Sequence, residues 1–180
     1  MRYQAVLFDL DGTLLDTIED IADAVNQVLA QNHFPVHSLD RYKQMVGLGL
    51  EQLLVDALPE TGRDTATVQR VLAQAGEVYA SQWKNKSHPY PGVAAMLEQL
   101  KVLGVKAAVL SNKPERFTQM CVEALLPAGT LAVVMGARED MPKKPAPDAA
   151  LKIAEQLGVL PENFLYVGDS GTDMQTAQAA

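Results

Sequence analysis

Four short runs, 5–8, 105–110, 131–135 and 164–167, stand out from the mixed pattern of this chain. They are rich in Val, Leu and aromatic residues. They are apolar nearly throughout rather than alternating, as strands covered on both faces of a parallel sheet should be. Between the later runs apolar positions recur at helical spacing. Val93, Met96, Leu97, Leu100 and Leu103 follow Pro91, and Gly104 supplies a stop. Phe117, Met120, Cys121, Ala124 and Leu125 follow Pro114 in the same way. Ala150, Leu151, Ile153, Ala154 and Leu157 follow Pro147, with Gly158 after them. This strand–helix rhythm predicts an α/β fold, a doubly wound parallel sheet.

The rhythm breaks between the first and second strands. Residues 16–88 carry only helical patterns and are too many for an ordinary crossover. Stripes begin at Ile18, Tyr42, Leu50 and Val68, the last running on to Trp83. Asp16 and Glu19 form a start signal for the first, with acids near its positive end. Met and aromatic residues at this spacing belong to packing, so the segment reads as a small helical bundle. The expected division is therefore 1–15 with 89–180 as an α/β core, and 16–88 as an inserted helical module. Linkers near 14–16 and 85–91 would let that module swing.

Composition narrows the partners. The 180 residues include 15 Lys and Arg against 22 Asp and Glu, a net charge of −7. Without a basic surplus, neither a nucleic acid nor an anionic membrane is an expected partner. The one cysteine, Cys121, excludes an intrachain disulfide and suits a reducing compartment. The N-terminal stretch holds one Arg and a short apolar run, with no signal-peptide pattern. No run approaches the roughly 18 apolar residues of a membrane span. A cytoplasmic globular protein is expected.

Ligands of open parallel sheets bind beyond the carboxyl ends of the strands. Asp9-Leu10-Asp11-Gly12-Thr13 follows the first run, and Ser111-Asn112-Lys113 the second. Beyond the third lies Lys143-Lys144-Pro145-Ala146-Pro147, and the fourth delivers Gly168-Asp169-Ser170 with Asp173. Four carboxylates on one rim repel unless a cation sits among them. Oxygen-only donors select a hard ion such as Mg²⁺. A cation, a Lys and a hydroxyl together make a receptor for a phosphoryl group. Within Asp-x-Asp, one carboxylate can attack phosphorus while the other moves a proton.

These four motifs resemble the signature of the haloacid dehalogenase superfamily, and the match spans nearly the whole chain. Leu110-Ser111-Asn112-Lys113-Pro114, Lys143-Lys144-Pro145 and Pro89-Tyr90-Pro91-Gly92-Val93 are similar to stretches of phosphoglycolate phosphatases. The resemblance implies a Rossmann-like core with a helical cap inserted after the first motif. It also implies Asp9 as a nucleophile forming an aspartyl-phosphate, and Asp11 as general acid and base. Mg²⁺ would be held by Asp9, Asp169 and the Asp11 carbonyl, with Asp173 adjusting the site from its edge. Ser111, Asn112 and Lys144 would bind the substrate phosphate. The implied activity is hydrolysis of a small phosphorylated metabolite, phosphoglycolate first. The alternatives are a β-phosphoglucomutase-type phosphoryl transferase and an inactive phosphate- or metal-binding fragment. The resemblance further implies another strand and helix beyond the fourth motif, so the chain is expected to be truncated at its C-terminus, with run 164–167 less covered.

Other residues read more simply. Lys143 competes with Lys144, though the Lys-Pro-x-Pro register favours Lys144. Lys113 is either a ligand or a solvated neighbour. Gly47-Leu48-Gly49 reads as a substrate loop or a plain turn, and Arg41 and Lys43 as an exposed face. His33, His37 and His88 lack metal spacing and are expected at the surface or in turns, and Cys121 is expected buried in a packing stripe.

Overall fold

The structure, a computed structural model, describes residues 3–180. Arg2, the basic residue of the N-terminal reading, lies outside the described residues. Its elements in chain order are β1 (Ala5–Phe8), β2 (Leu15–Asp16), α1 (Ile18–Gln31), α2 (Leu39–Met45), α3 (Leu50–Ala57), α4 (Thr65–Gln82), β3 (His88–Pro89), α5 (Val93–Val102), β4 (Lys106–Pro114), α6 (Glu115–Leu125), β5 (Val133–Ala137), α7 (Asp148–Leu157), β6 (Phe164–Val167) and α8 (Gly171–Ala179). They form two compact units, Thr17–His88 and the remainder on either side of it. Among the described residues no helix is long and apolar enough to cross a membrane.

In the α/β unit the strand order is β5-β4-β1-β6, and every pairing is parallel. Central β1 is buried along its whole length, which explains its unbroken apolar run. One sheet face, with Ala5, Leu7, Ala108 and Leu110, packs against Ala149, Ala150, Ile153 and Leu157 of α7. Alternation turns Val6, Phe8, Ala107 and Val109 to the opposite face, and α5 and α6 contact β4. Phe8 is in register with both Val109 and Val167, so β1 and β6 end level while β4 runs on past them. The parallel α/β sheet expected from the sequence is the one observed.

Several boundaries differ from expectation. β4 does not stop at 110 but continues through Pro114, with a register shift against β5 after Leu110. Its polar Ser111, Asn112 and Lys113 are buried, each with hydrogen-bond partners that let a strand tolerate them. β5 begins two residues later than expected. Pro91 precedes its helix: Gly92, at φ 88°, caps α5, which starts at Val93. Leu151 is exposed and Ala124 lies outside the buried arc of α6, both on the solvent side of helices assigned to them as core.

In the helical unit α1 packs on α2 and α4, and α3 on α2 and α4. α1 starts after Thr17, which makes no side-chain cap, rather than from Asp16. Asp20, one turn in, is buried and closes the unit instead. Its carboxylate accepts from Lys86 N (3.0 Å), Ser87 N (2.8 Å) and Ser87 Oγ (2.7 Å). His37 departs from the surface reading: half-buried, its Nε2 lies 2.7 Å from Ala57 O. Its backbone exchanges two hydrogen bonds with the amide of Asn26, which also accepts from the buried Tyr42 hydroxyl at 2.7 Å. Gly47 and Gly49 have φ of 134° and 91°, a backbone turn that itself accounts for both glycines. Arg41 and Lys43 are exposed, and Cys121 is a buried free thiol.

Replacing Asp20 with Ala would leave three donors without their acceptor, two of them buried in the unit. Asp20→Ala should lower unfolding free energy by about 2–4 kcal/mol in urea denaturation, whereas the exposed control Asp40→Ala should change it by less than about 0.5 kcal/mol.

Candidate active site

Asp9 follows β1 directly, and its N–H donates to Val167 O of β6 at 2.9 Å. Behind it the chain folds back on itself: Leu10 O accepts from Leu14 N and Leu15 N, both at 3.0 Å. Gly12 makes this turn at φ 88°, and a Cβ there would overlap the Asp169 carboxylate. Glycine is therefore required twice over, for its dihedral and for the close approach of Asp169. Thr13 Oγ1 donates to Asp169 Oδ1 at 3.1 Å.

Lys144 occupies the centre. Its Nζ lies 2.8 Å from Asp9 Oδ1 and 2.6 Å from Asp173 Oδ1, and donates to Leu110 O at 3.1 Å. The side chains of Lys144 and Asp173 are 2% and 0% exposed, whereas Lys143 is exposed. Asn112 clamps the Lys144 backbone from both sides: Nδ2 donates to Lys144 O at 3.0 Å, and Oδ1 accepts from Lys144 N at 2.9 Å. The Asn112 amide thus positions Lys144. Ser111 Oγ accepts from Lys113 N at 3.2 Å, which leaves its own proton available to an oxygen acceptor.

Asp173 is the N3 residue of a capping box at the start of α8, exchanging hydrogen bonds with Ser170. Its Oδ1 takes Lys144 and, at 3.3 Å, the Tyr166 hydroxyl; its Oδ2 takes Ser170 N and Oγ. Burial works to raise its pKa, but Lys144 and the Ser170 hydrogen bonds outweigh that and hold it below the usual carboxylate range. Asp9 behaves oppositely. Burial pushes it up to about 6 against the pull of Lys144, and the charges of Asp173 and Asp11 push the same way. One oxygen each of Asp9, Asp169 and Asp173 lies within 4.8 Å of the others. This donor set, all carboxylate and made possible by the missing Cβ of Gly12, fits a hard divalent cation. Asp173 brings oxygens that already have partners, so Asp9 and exposed Asp169 are the better donors.

Asp11 points elsewhere. Lys113 Nζ meets its Oδ1 at 2.9 Å and Oδ2 at 3.2 Å, with side chains only 5% and 13% exposed. Lys113 is thus no solvated neighbour but the counter-ion of the second Asp.

The family model of haloacid dehalogenase-like hydrolases matches residues 6–180. A phosphoglycolate phosphatase of Pseudomonas putida is 36% identical over 179 residues, which are 97% of this chain and 65% of that protein. One of Xylella fastidiosa (strain 9a5c) is 33% identical, covering 98% of this chain and 76% of the relative. The chain therefore spans just under two thirds of the first and about three quarters of the second. A crystal structure described as that of a predicted phosphoglycolate phosphatase, from Haemophilus somnus 129pt, superposes with a TM-score of 0.92 at 28% identity. It is covered over 83% of its length and covers 100% of this chain.

Neutralising the Lys113 side chain should strand the Asp11 charge. Lys113→Met is expected to cost about 1–3 kcal/mol in urea denaturation, less than a fully buried pair because Asp11 can turn toward water. Adding Asp11→Asn should recover at least half of that loss; independent, additive losses would mean the two side chains are not coupled.

Proposed function

Because the chain belongs to the haloacid dehalogenase-like hydrolases, we propose that it hydrolyses small phosphate monoesters, phosphoglycolate foremost, through a phosphorylated Asp9. The observation that carries this reading is the placement of Asp9: a buried carboxylate at a strand end, 2.8 Å from a fixed ammonium and beside two further carboxylates. Mg²⁺, when bound by Asp9, Asp169 and the Asp11 carbonyl with Asp173 at the edge, would neutralise charge on the phosphoryl oxygens and the crowded acids.

Asp9 attacks phosphorus, forming an acyl-phosphate bond as the ester P–O bond breaks. To act as acid, Asp11 exchanges its Lys113 partner for a proton, which it gives to the departing alkoxide; it then takes a proton from the water that cleaves the acyl phosphate, so Asp9 is restored and Asp11 is again protonated. The Ser111 hydroxyl donates to a phosphoryl oxygen. Lys144, already aligned by Asn112 and Asp173, supplies fixed positive charge beside the nucleophile; in phosphoryl transfer such positioning and neutralisation account for most of the rate. In this reading the choice of ester falls to the helical unit of residues 17–88. The phosphoglycolate phosphatase relatives support the choice of first substrate.

Three predictions test the assignment with purified protein and a panel of esters. Asp9→Asn should fold yet lose turnover by several orders of magnitude. Removing divalent metal from the wild type with a chelator should likewise abolish phosphate release and lower Tm, both restored by Mg²⁺. A folded Asp9→Asn protein with more than about a tenth of wild-type turnover would remove Asp9 from its role. Asp11→Asn should slow hydrolysis of an alkyl phosphate about 10²–10⁴-fold but that of an activated aryl phosphate much less, because the aryl leaving group needs little protonation. Equal losses on the two esters would mean that Asp11 is not the acid.

A further inference from the structure

Lys113 is held in place more firmly than the balancing of a charge requires. Its N–H donates to Ser111 Oγ at 3.2 Å, and its C=O accepts from Thr118 Oγ1 at 3.1 Å. A Cβ on Gly136 would stand 2.8 Å from that carbonyl oxygen, so the β5 backbone lies directly against it. Elements β4, α6 and β5 thus all bear on the main chain of one residue, whose side chain is 5% exposed. Asp11, across from it, stands on the tight turn in which Gly12 N–H donates to Leu15 O at 2.9 Å. With the main chain fixed on both sides, only side-chain torsions decide where the Asp11 carboxylate stands.

The Lys113 ammonium meets the two oxygens of that carboxylate unequally, Oδ1 at 2.9 Å and Oδ2 at 3.2 Å. In a protonated carboxyl one oxygen is a donor and the other still accepts, and an ammonium has three N–H groups to give. The closer oxygen therefore keeps its bond to Lys113 while the farther one exchanges that bond for a proton. The geometry points to Lys113 as a positioning residue for proton transfer, one that holds Oδ1 of Asp11 and so fixes where Oδ2 stands. This inference rests on the phosphatase reading and deepens it. Oδ2 gives its proton to the ester oxygen as that oxygen leaves phosphorus and Asp9 bonds to it. Oδ2 then takes a proton from the water whose oxygen bonds to phosphorus as the Asp9 acyl-phosphate bond breaks. Lys113 keeps its own protons throughout. Misplacing a reacting group by about 1 Å costs on the order of 10²-fold in rate, so an anchor of this kind is felt in kcat. Ser111 is bound through the main chain of Lys113 and Asp11 through its side chain. A side-chain substitution accordingly separates proton transfer from phosphoryl binding.

The test measures kcat and KM on ethyl phosphate and 4-nitrophenyl phosphate with Mg²⁺ present. The proteins are the wild type, Lys113→Met, Lys113→Gln, Lys113→Arg, Asp11→Asn and the double variant Asp11→Asn/Lys113→Met. Lys113→Met should lower kcat on the alkyl ester at least about ten-fold more than on the aryl ester, whose leaving group needs little protonation. KM for either ester should stay within about three-fold, since the Ser111 contact is untouched. Lys113→Arg, which keeps a cation at the anchor, should recover part of the alkyl-to-aryl ratio. In the Asp11→Asn background the Lys113 substitution should leave that ratio unchanged, because nothing remains to be positioned. A purely structural role predicts equal losses of kcat on the two esters, and that result would overturn the inference. So would a shift in the ratio that persists without Asp11. Should Lys113→Met fail to fold, Lys113→Gln decides: an alkyl loss at least about three-fold beyond the aryl loss upholds the anchor, and equal losses overturn it. A wild type that hydrolyses neither ester overturns the phosphatase reading and this inference with it, whereas one that hydrolyses both with an unmoved ratio overturns the inference alone.

Discussion

The α/β unit is organised around one ammonium group. Lys144 Nζ sits out of water between Asp9 and Asp173 and touches Leu110 O, so a single cation joins the end of β1 and the middle of β4 to the first turn of α8. Burying three charges is costly in isolation, and a trio of this kind persists only when each lone pair and proton has a partner. That condition explains the surroundings: the Asn112 clamp, the Ser170 capping box and the Tyr166 hydroxyl all complete the shell of the trio. It also explains a difference between the two acids. Asp173 receives every donor and stays readily ionised; Asp9 receives chiefly Lys144, is pushed up by burial, and keeps a face for chemistry.

The sheet was legible in the sequence because parallel strands buried on both faces leave unbroken apolar runs, and β1 and β6 were bounded as read. β4 was misjudged at its end for a physical reason. Polar residues at 111–113 read as a loop, yet each has a partner remote in the chain, so the strand continues through them. Asn112 meets Lys144 32 residues on, and Lys113 meets Asp11 across 102 residues. Pairings of that range have no local pattern. The same holds for His37, whose neighbours Asn26, Tyr42 and Ala57 come from three different helices. The acids that converge on the strand ends were visible because topology alone brings them there. Which oxygen faces which cation was not.

Charge is distributed unevenly on this acidic chain. Carboxylates collect where β1 and β6 end, whereas beyond β5 Arg138 pairs with Asp140 at 3.3 Å and Lys143 is exposed.

The clasp at Asp20 has a consequence for how the chain comes together. β1 pairs with β4, so their contact must close a loop of roughly a hundred residues, an entropic burden on any parallel sheet. Asp20 bonds Ser87, 67 residues away, and the segment between them has its own apolar interior. Once that segment is compact, the effective loop joining β1 to β4 shrinks to about thirty residues, which lowers the closure penalty by about 1 kcal/mol. An insertion that makes up 40% of the chain thus costs the sheet little, and the hydrogen bonds of one carboxylate turn a distant strand partner into a near one.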